Sequence, residues 1–169
     1  MAYIINDILT GKNVIAIGNK GSGKTKLALS LAIDISSQTP NSIISVFSKP
    51  LTMSNILRHD IVEYMSFYGL TATTNDTNQI KFSNGTIVRF LTNSSEIKGV
   101  ASDYIIFDDI DPKYIDDILS TTIPSDSKYV LILDESDLKY YENKYITPDL
   151  DLNFFKPMRK DCVIYDIRD

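Results

Sequence analysis

The chain has 169 residues, 43% of them hydrophobic and 23% charged, with a formal net charge of −5. That size and balance suit one globular domain with a sizeable core. They do not announce a nucleic-acid binder, since a domain that gripped DNA alone would usually carry a basic face, so any DNA contact is expected to be local, transient or supplied by several copies around a ring. No apolar run reaches membrane-spanning length. The N-terminus has no basic region followed by an apolar stretch and a small-residue cleavage site. The one cysteine, Cys162, excludes an internal disulfide framework and a cysteine zinc site, and it reads as a small core residue beside Val163 to Tyr165. These features favour an intracellular, cytoplasmic setting.

In chain order, Tyr3 to Leu9 is apolar enough for a short helix that ends near Gly11. Asn13 to Ile17 is an apolar run that reads as a buried strand. Gly18 to Thr25 reads Gly-Asn-Lys-Gly-Ser-Gly-Lys-Thr, a full match to the phosphate-binding loop G-x-x-x-x-G-K-[ST]. Lys24 to Ser36 follows with Leu27, Leu31 and Ile35 on one stripe, widened by Ala28, Ala32 and Ile33, as a helix requires. Strand, glycine loop and helix form the context in which this motif carries meaning. Gly18, Gly21 and Gly23 allow backbone conformations that a side chain would block. Successive N–H groups then turn inward on a phosphate at the start of a helix, whose dipole favours an anion. The whole loop, Gly18, Asn19, Lys20, Gly21, Ser22, Gly23, Lys24 and Thr25, is the expected nucleotide contact. Lys24 is expected on the β- and γ-phosphates of ATP and the Thr25 hydroxyl on Mg2+.

Gln38 to Ser42 reads as a turn around Pro40, and Ser42 to Phe47 as a second buried strand broken by Ser48, Lys49 and Pro50. Thr52 to Tyr68 carries Ile56, Ile61, Met65 and Tyr68 at helical spacing, with Gly69 as its cap. His59, between Arg58 and Asp60, reads as a surface residue. Gln79 to Phe90 reads as a β-hairpin turning on the two residues Asn84-Gly85, inserted before the next core strand. Thr92 to Ser102 is polar and reads as a loop.

Tyr104 to Phe107 is a continuous apolar run that ends in Asp108-Asp109, the Walker B pattern of a buried strand delivering carboxylates to its C-terminal end. Asp108 is expected in the Mg2+ shell, and Asp109 is expected to orient the attacking water. An acidic turn is the plain alternative for this pair. Pro112 to Leu119 reads as a helix, Lys128 to Leu133 as a further strand, Asp137 to Tyr145 as a helix, Thr147 to Asp151 as a turn and Asp161 to Ile167 as a last strand. Asp134-Glu135-Ser136 stands where a side chain could sense a γ-phosphate. A helix N-cap by Asp134 or Ser136 is the expected role there. The elements together predict a three-layer α/β/α P-loop NTPase fold, with a mostly parallel central sheet and an inserted hairpin, over residues 1–169 as one domain.

The order of three segments resembles one family. They are Phe82-Ser83-Asn84-Gly85-Thr86-Ile87, Ile97-Lys98-Gly99, and Tyr104-Ile105-Ile106-Phe107-Asp108-Asp109. An Asn-Gly hairpin, a Lys/Arg-Gly loop, and an apolar strand ending in an acidic pair follow in this order in the ATPase domain of phage terminase large subunits. Lys20 stands where many terminases carry a basic residue of the phosphate loop. The resemblance covers roughly residues 10 to 135. It implies a motor ATPase that drives viral double-stranded DNA into a procapsid in the host cytoplasm. It implies Lys24 and Asp109 as catalytic residues, and Lys20 in place of the family's mobile arginine. It implies a homo-oligomeric ring, with a portal and a separate nuclease as partners, and no membrane.

Three departures accompany the resemblance. The catalytic acid is usually Glu where this chain has Asp109. The Ser/Thr-rich coupling motif is not evident at Asp134 to Asp137, and the nuclease domain is expected to be absent. A completing cation is expected from a neighbouring subunit. The arginines are Arg58, Arg89, Arg159 and Arg168, of which Arg58 and Arg89 read first as surface charges. Other readings of the same loop are a helicase-like translocase, a small nucleoside or nucleotide kinase, and an assembly subunit that binds nucleotide with little turnover. The kinase reading requires an arginine-rich lid, and residues 120 to 160 hold only Arg159.

Overall fold

The structure is a computed structural model that describes residues 2–48, 51–76, 78–91, 101–108, 110, 127–136 and 162–167. Three helices are described: α1 (Ala2–Leu9), α2 (Lys24–Gln38) and α3 (Leu51–Phe67). Eight strands are described: β1 (Asn13–Gly18), β2 (Ile43–Ser48), β3 (Ala72–Asn75), β4 (Gln79–Phe82), β5 (Ile87–Leu91), β6 (Tyr104–Asp108), β7 (Lys128–Asp134) and β8 (Cys162–Asp166). They form one eight-stranded sheet in the order β3-β4-β5-β2-β6-β7-β1-β8. The five neighbouring pairs from β5 to β8 are parallel, and only the β3–β4 and β4–β5 pairs are antiparallel.

Register explains the core. Parallel partners at one level send their side chains to the same face. Val14 and Ala16 of β1, Val130 and Ile132 of β7, Ile106 of β6, and Ile44 and Val46 of β2 therefore share one face. That face packs against Ile4 and Ile8 of α1, Leu27, Leu31 and Ile35 of α2, and Ile61 and Met65 of α3, all buried in one cluster. Burying each of these larger side chains contributes about 1.5–3 kcal/mol. The opposite face is equally dry: Ile15, Ile105, Phe107, Leu131 and Leu133 are buried, and Phe47 stacks on Phe107 with ring centroids 5.3 Å apart. Near-continuous apolar strands are what a parallel sheet covered on both faces needs.

Several expectations are corrected. The Asn84-Gly85 turn joins β4 and β5, but as a three-residue loop: Phe82 N donates to Thr86 O and Gly85 N donates to Phe82 O, both at 2.9 Å. Gly85 alone takes a positive φ, of 85°, so Asn84 does not adopt the left-handed backbone that a two-residue turn would demand. Asn84 is instead a tether, its Nδ2 donating to Ser36 O at 2.8 Å at the end of α2 and its Oδ1 accepting from Thr86 N at 3.1 Å. The hairpin lies between α3 and β6 in the chain, as expected, and its β5 strand pairs with β2 and carries the sheet outward.

Ser48 is the last residue of β2 and is buried, so it extends the strand that it was expected to break. The third helix ends at Phe67, and Gly69 caps it with φ 70° while Leu70 N donates to Met65 O at 3.1 Å. Tyr68 therefore falls outside the apolar stripe, exposed, with its hydroxyl donating to Asp34 Oδ1 at 3.2 Å. Strand β3 was not foreseen. The helices expected at 112–119 and 137–145, the turn at 147–151, Lys49 and Pro50, and the side chains of Ile56 and Cys162 lie outside the described residues.

Candidate functional site

The C-terminal ends of the parallel strands build the site. Gly18 of β1 lies level with Asp134 of β7. Asp108 of β6 lies level with Ile132 of β7 and with Ser48 of β2. Counting along the register, Asp108 sits two residues, or about 7 Å, below the rim formed by Gly18 and Asp134. All four residues face α2, since they continue the rows of Ala16, Ile132, Ile106 and Val46. Strand β7 lies between β1 and β6 and so separates the glycine loop from Asp108 by one strand.

The loop itself is built by backbone demands that the sequence meets. Gly21 and Gly23 adopt φ 88° and 86°, the left-handed region that costs an L-residue about 1–2 kcal/mol. Gly18 is required for a different reason, space: a Cβ there would overlap Ser22 Oγ and meet Ile167 Cγ1 at 3.1 Å and Lys24 Cγ at 3.2 Å. Ser22 N donates to Asn19 O at 3.1 Å, which closes the turn. Helix α2 then begins with Gly23 as its N-cap, with no side-chain cap and no acidic residue in its first turn. Its first N–H groups and dipole thus face the loop without a competing carboxylate from the same turn. Asn19, Lys20 and Gly21 are exposed, whereas Thr25 is half-buried at the start of α2.

Lys24 is the electrostatic centre. Its side chain is only 12% exposed, and Nζ donates to Asn19 O at 2.7 Å, to Gly18 O at 3.4 Å and to Asp134 Oδ2 at 2.8 Å. Asp134 uses its other oxygen, Oδ1, to accept from Ser136 N at 3.0 Å and from Ser136 Oγ at 2.7 Å. The expected cap is therefore present, in the hand of Asp134, and it is joined to an ion pair that the sequence did not reveal. The Lys24 hydrogen bond, followed by the Ser136 amide and hydroxyl, holds the Asp134 carboxyl down at about 2. No local signal links residues 110 positions apart; only the placement of β7 beside β1 does so.

Asp108 is 2% exposed at the end of β6, deeper than an acidic surface turn would lie. Helix α2 packs on β6, so the elements that carry Thr25 and Asp108 are in contact. A hydroxyl and a carboxylate are hard oxygen donors of the kind that Mg2+ takes, and the donor set fits that ion. Asp109 lies outside the described residues, as do Arg159 and Arg168. Arg58 Nη1 donates to Asp76 O at 2.5 Å. Arg89 is half-buried on β5 and lines a recess of about 370 Å3 with Asp76, Asn78, Gln79 and Leu91, so it is less of a surface charge than expected. His59 is exposed on α3, as its charged neighbours implied. Among the described residues, no helix is long and apolar enough to cross a membrane.

A mostly parallel sheet, a glycine loop running from β1 into α2, and an acid-tipped β6 set one strand away define an α/β fold of the P-loop NTPase type. The particular architecture is that of phage large terminase ATPase domains. The chain is similar to the large terminase of a thermophilic bacteriophage, with TM-score 0.64 and 11% identity over 93% of this chain and 39% of that one. The same terminase in complex with ADP gives TM-score 0.62 and 11% identity over 94% and 40%. The large terminase ATPase domain of Thermus phage P74-26 gives TM-score 0.60 and 14% identity over 93% and 76%. The chain thus spans about two fifths of the length of the first of these terminases. At these identities the likeness is one of fold. No protein-family model matches the sequence, and no curated protein does.

Proposed function

We propose that this chain is an ATP-hydrolysing motor domain of the terminase large-subunit kind, acting on double-stranded viral DNA. The observation that carries the reading is the convergence of the Gly18–Thr25 loop and the buried Asp108 on one edge and one face of the sheet. The solved structures of this fold support it, one of them an ADP complex. In this reading the loop amides and Lys24 neutralise the phosphates of ATP, and Lys20, exposed on the same loop, reaches the γ-phosphate. Thr25 and Asp108 hold Mg2+, which supplies charge neutralisation when bound. Asp109 orients the attacking water. The acidic balance of the chain fits transient DNA contact through a ring of copies, with a portal and a separate nuclease as the partners.

The reading is tested by MgATP binding and phosphate release. Lys24→Ala is expected to abolish both. Asp109→Asn is expected to stop release while ADP and ATP still bind; undiminished hydrolysis by Asp109→Asn would remove Asp109 from the catalytic role. Phosphate transfer to an added nucleoside would identify a kinase instead.

A further inference from the structure

An ammonium group has three protons to give. At Lys24 all three are engaged, with Gly18 O, Asn19 O and Asp134 Oδ2. A phosphate bound in the loop can take a Lys24 proton only if one of these acceptors yields it. Two of them are carbonyls of the loop itself, whose positions are set by the turn that closes at Ser22 N. The third is a carboxylate on the neighbouring strand, and it is the one acceptor that carries charge. A carboxylate and a phosphate brought to one ammonium repel each other. Asp134 is also the acceptor with somewhere else to go: it is partly exposed, and its Oδ1 already holds the Ser136 amide and hydroxyl.

We propose that Asp134 is an internal competitor for Lys24, so that an incoming phosphate displaces its carboxylate and the strength of that contact sets how tightly the loop holds anions. The proposal rests on the phosphate-site reading above and adds a residue that the loop motif does not contain. It also gives a physical reason for an acid at the tip of β7. A charged competitor weakens the retention of a product such as ADP, and its release from Lys24 alters the turn at Glu135 and Ser136 whenever the loop fills.

The test is direct titration of the purified chain with ADP and, separately, with inorganic pyrophosphate, by calorimetry. Asp134→Asn keeps an oxygen for Ser136 and removes the charge. It is expected to bind both ligands about three- to fivefold more tightly than the parent chain, the upper end of what one part-exposed ion pair sustains. Ser136→Ala removes the hydroxyl hydrogen bond to Asp134 Oδ1 and leaves both the amide hydrogen bond and the ion pair. It is expected to lower the melting temperature and leave both affinities within about twofold, which separates competition for Lys24 from a structural role of the turn. Unchanged or weaker binding by Asp134→Asn would overturn the proposal and make Asp134 a support for Lys24. If neither the parent chain nor Asp134→Asn bound either ligand, the phosphate-site reading itself would fall, and the proposal with it.

Discussion

Gly18→Ala tests the packing logic of the loop without relying on any ligand. Gly18 is not in the left-handed region, so backbone strain is not the issue; space is. The added methyl overlaps Ser22 Oγ and presses on Ile167 Cγ1 at 3.1 Å and Lys24 Cγ at 3.2 Å. Lys24 is pinned by three hydrogen bonds and Ile167 N donates to Ile17 O at 2.7 Å, so neither neighbour yields without disturbing its own contacts. Overpacking of this kind costs about 1–3 kcal/mol. For a domain of this size that corresponds to a fall of about 2–12 °C in melting temperature.

The clash with Ser22 is severe but removable. Ser22 Oγ is buried and has no hydrogen-bond partner among the described residues. Its deletion in Ser22→Ala is therefore expected to change stability by no more than about 0.5 kcal/mol. The double variant Gly18→Ala/Ser22→Ala is expected to recover about half of the loss, because the contacts at Ile167 and Lys24 remain. Urea denaturation of the four proteins measures this coupling. Strictly additive effects would show that Ser22 is not what excludes a side chain at position 18, and the geometry of the loop would need revision.

Other expectations follow from the same contacts. Asn84→Ala cuts the tether from the hairpin to Ser36 O at the end of α2 and should cost about 1–2 kcal/mol, read as a loss of about 2–8 °C by circular dichroism melting. Ile106→Ala empties a fully buried site in the middle of the sheet and should cost about 2–5 kcal/mol in urea titrations. In acid, Asp134 is held near 2 by Lys24 and Ser136, and Asp7 is held below its ordinary 3.8 by Lys12 and Tyr165. Both carboxyls are depressed, so their contribution is complete above their unfolded value and is lost as pH falls through it toward 2. The double variant Asp7→Asn/Asp134→Asn should therefore show a flatter decline in stability below pH 4 than the parent chain, measured by denaturant midpoints across that window.

What was legible in the sequence was local. The phosphate loop, its strand and its helix are contiguous, and their apolar periods identify each element directly. Strands β2, β6 and β7 are equally plain as near-continuous apolar runs, as parallel strands buried on both faces should be. Strand β3 was not, because Ala72-Thr73-Thr74-Asn75 is a polar segment at the exposed sheet edge, with no alternation to betray it. The Asn84-Gly85 pair marks the hairpin turn, but Asn84 also reaches across to Ser36 O of α2, a contact that no turn propensity encodes. The bond from Lys24 to Asp134 was hidden for the deeper reason that it depends on strand order. Apolar runs say that strands exist but not which lie side by side, so the Asp134 cap was anticipated and its ion pair was not.

In the proposed function, ATP held by the loop Gly18–Thr25 powers a motor that acts on double-stranded DNA. This is tested most directly by phosphate release from MgATP with and without double-stranded DNA, for the parent chain and for Lys24→Ala. The expected result is release that DNA stimulates and that Lys24→Ala eliminates in both conditions. Release that persists in Lys24→Ala, or that is indifferent to DNA at every concentration, would contradict it.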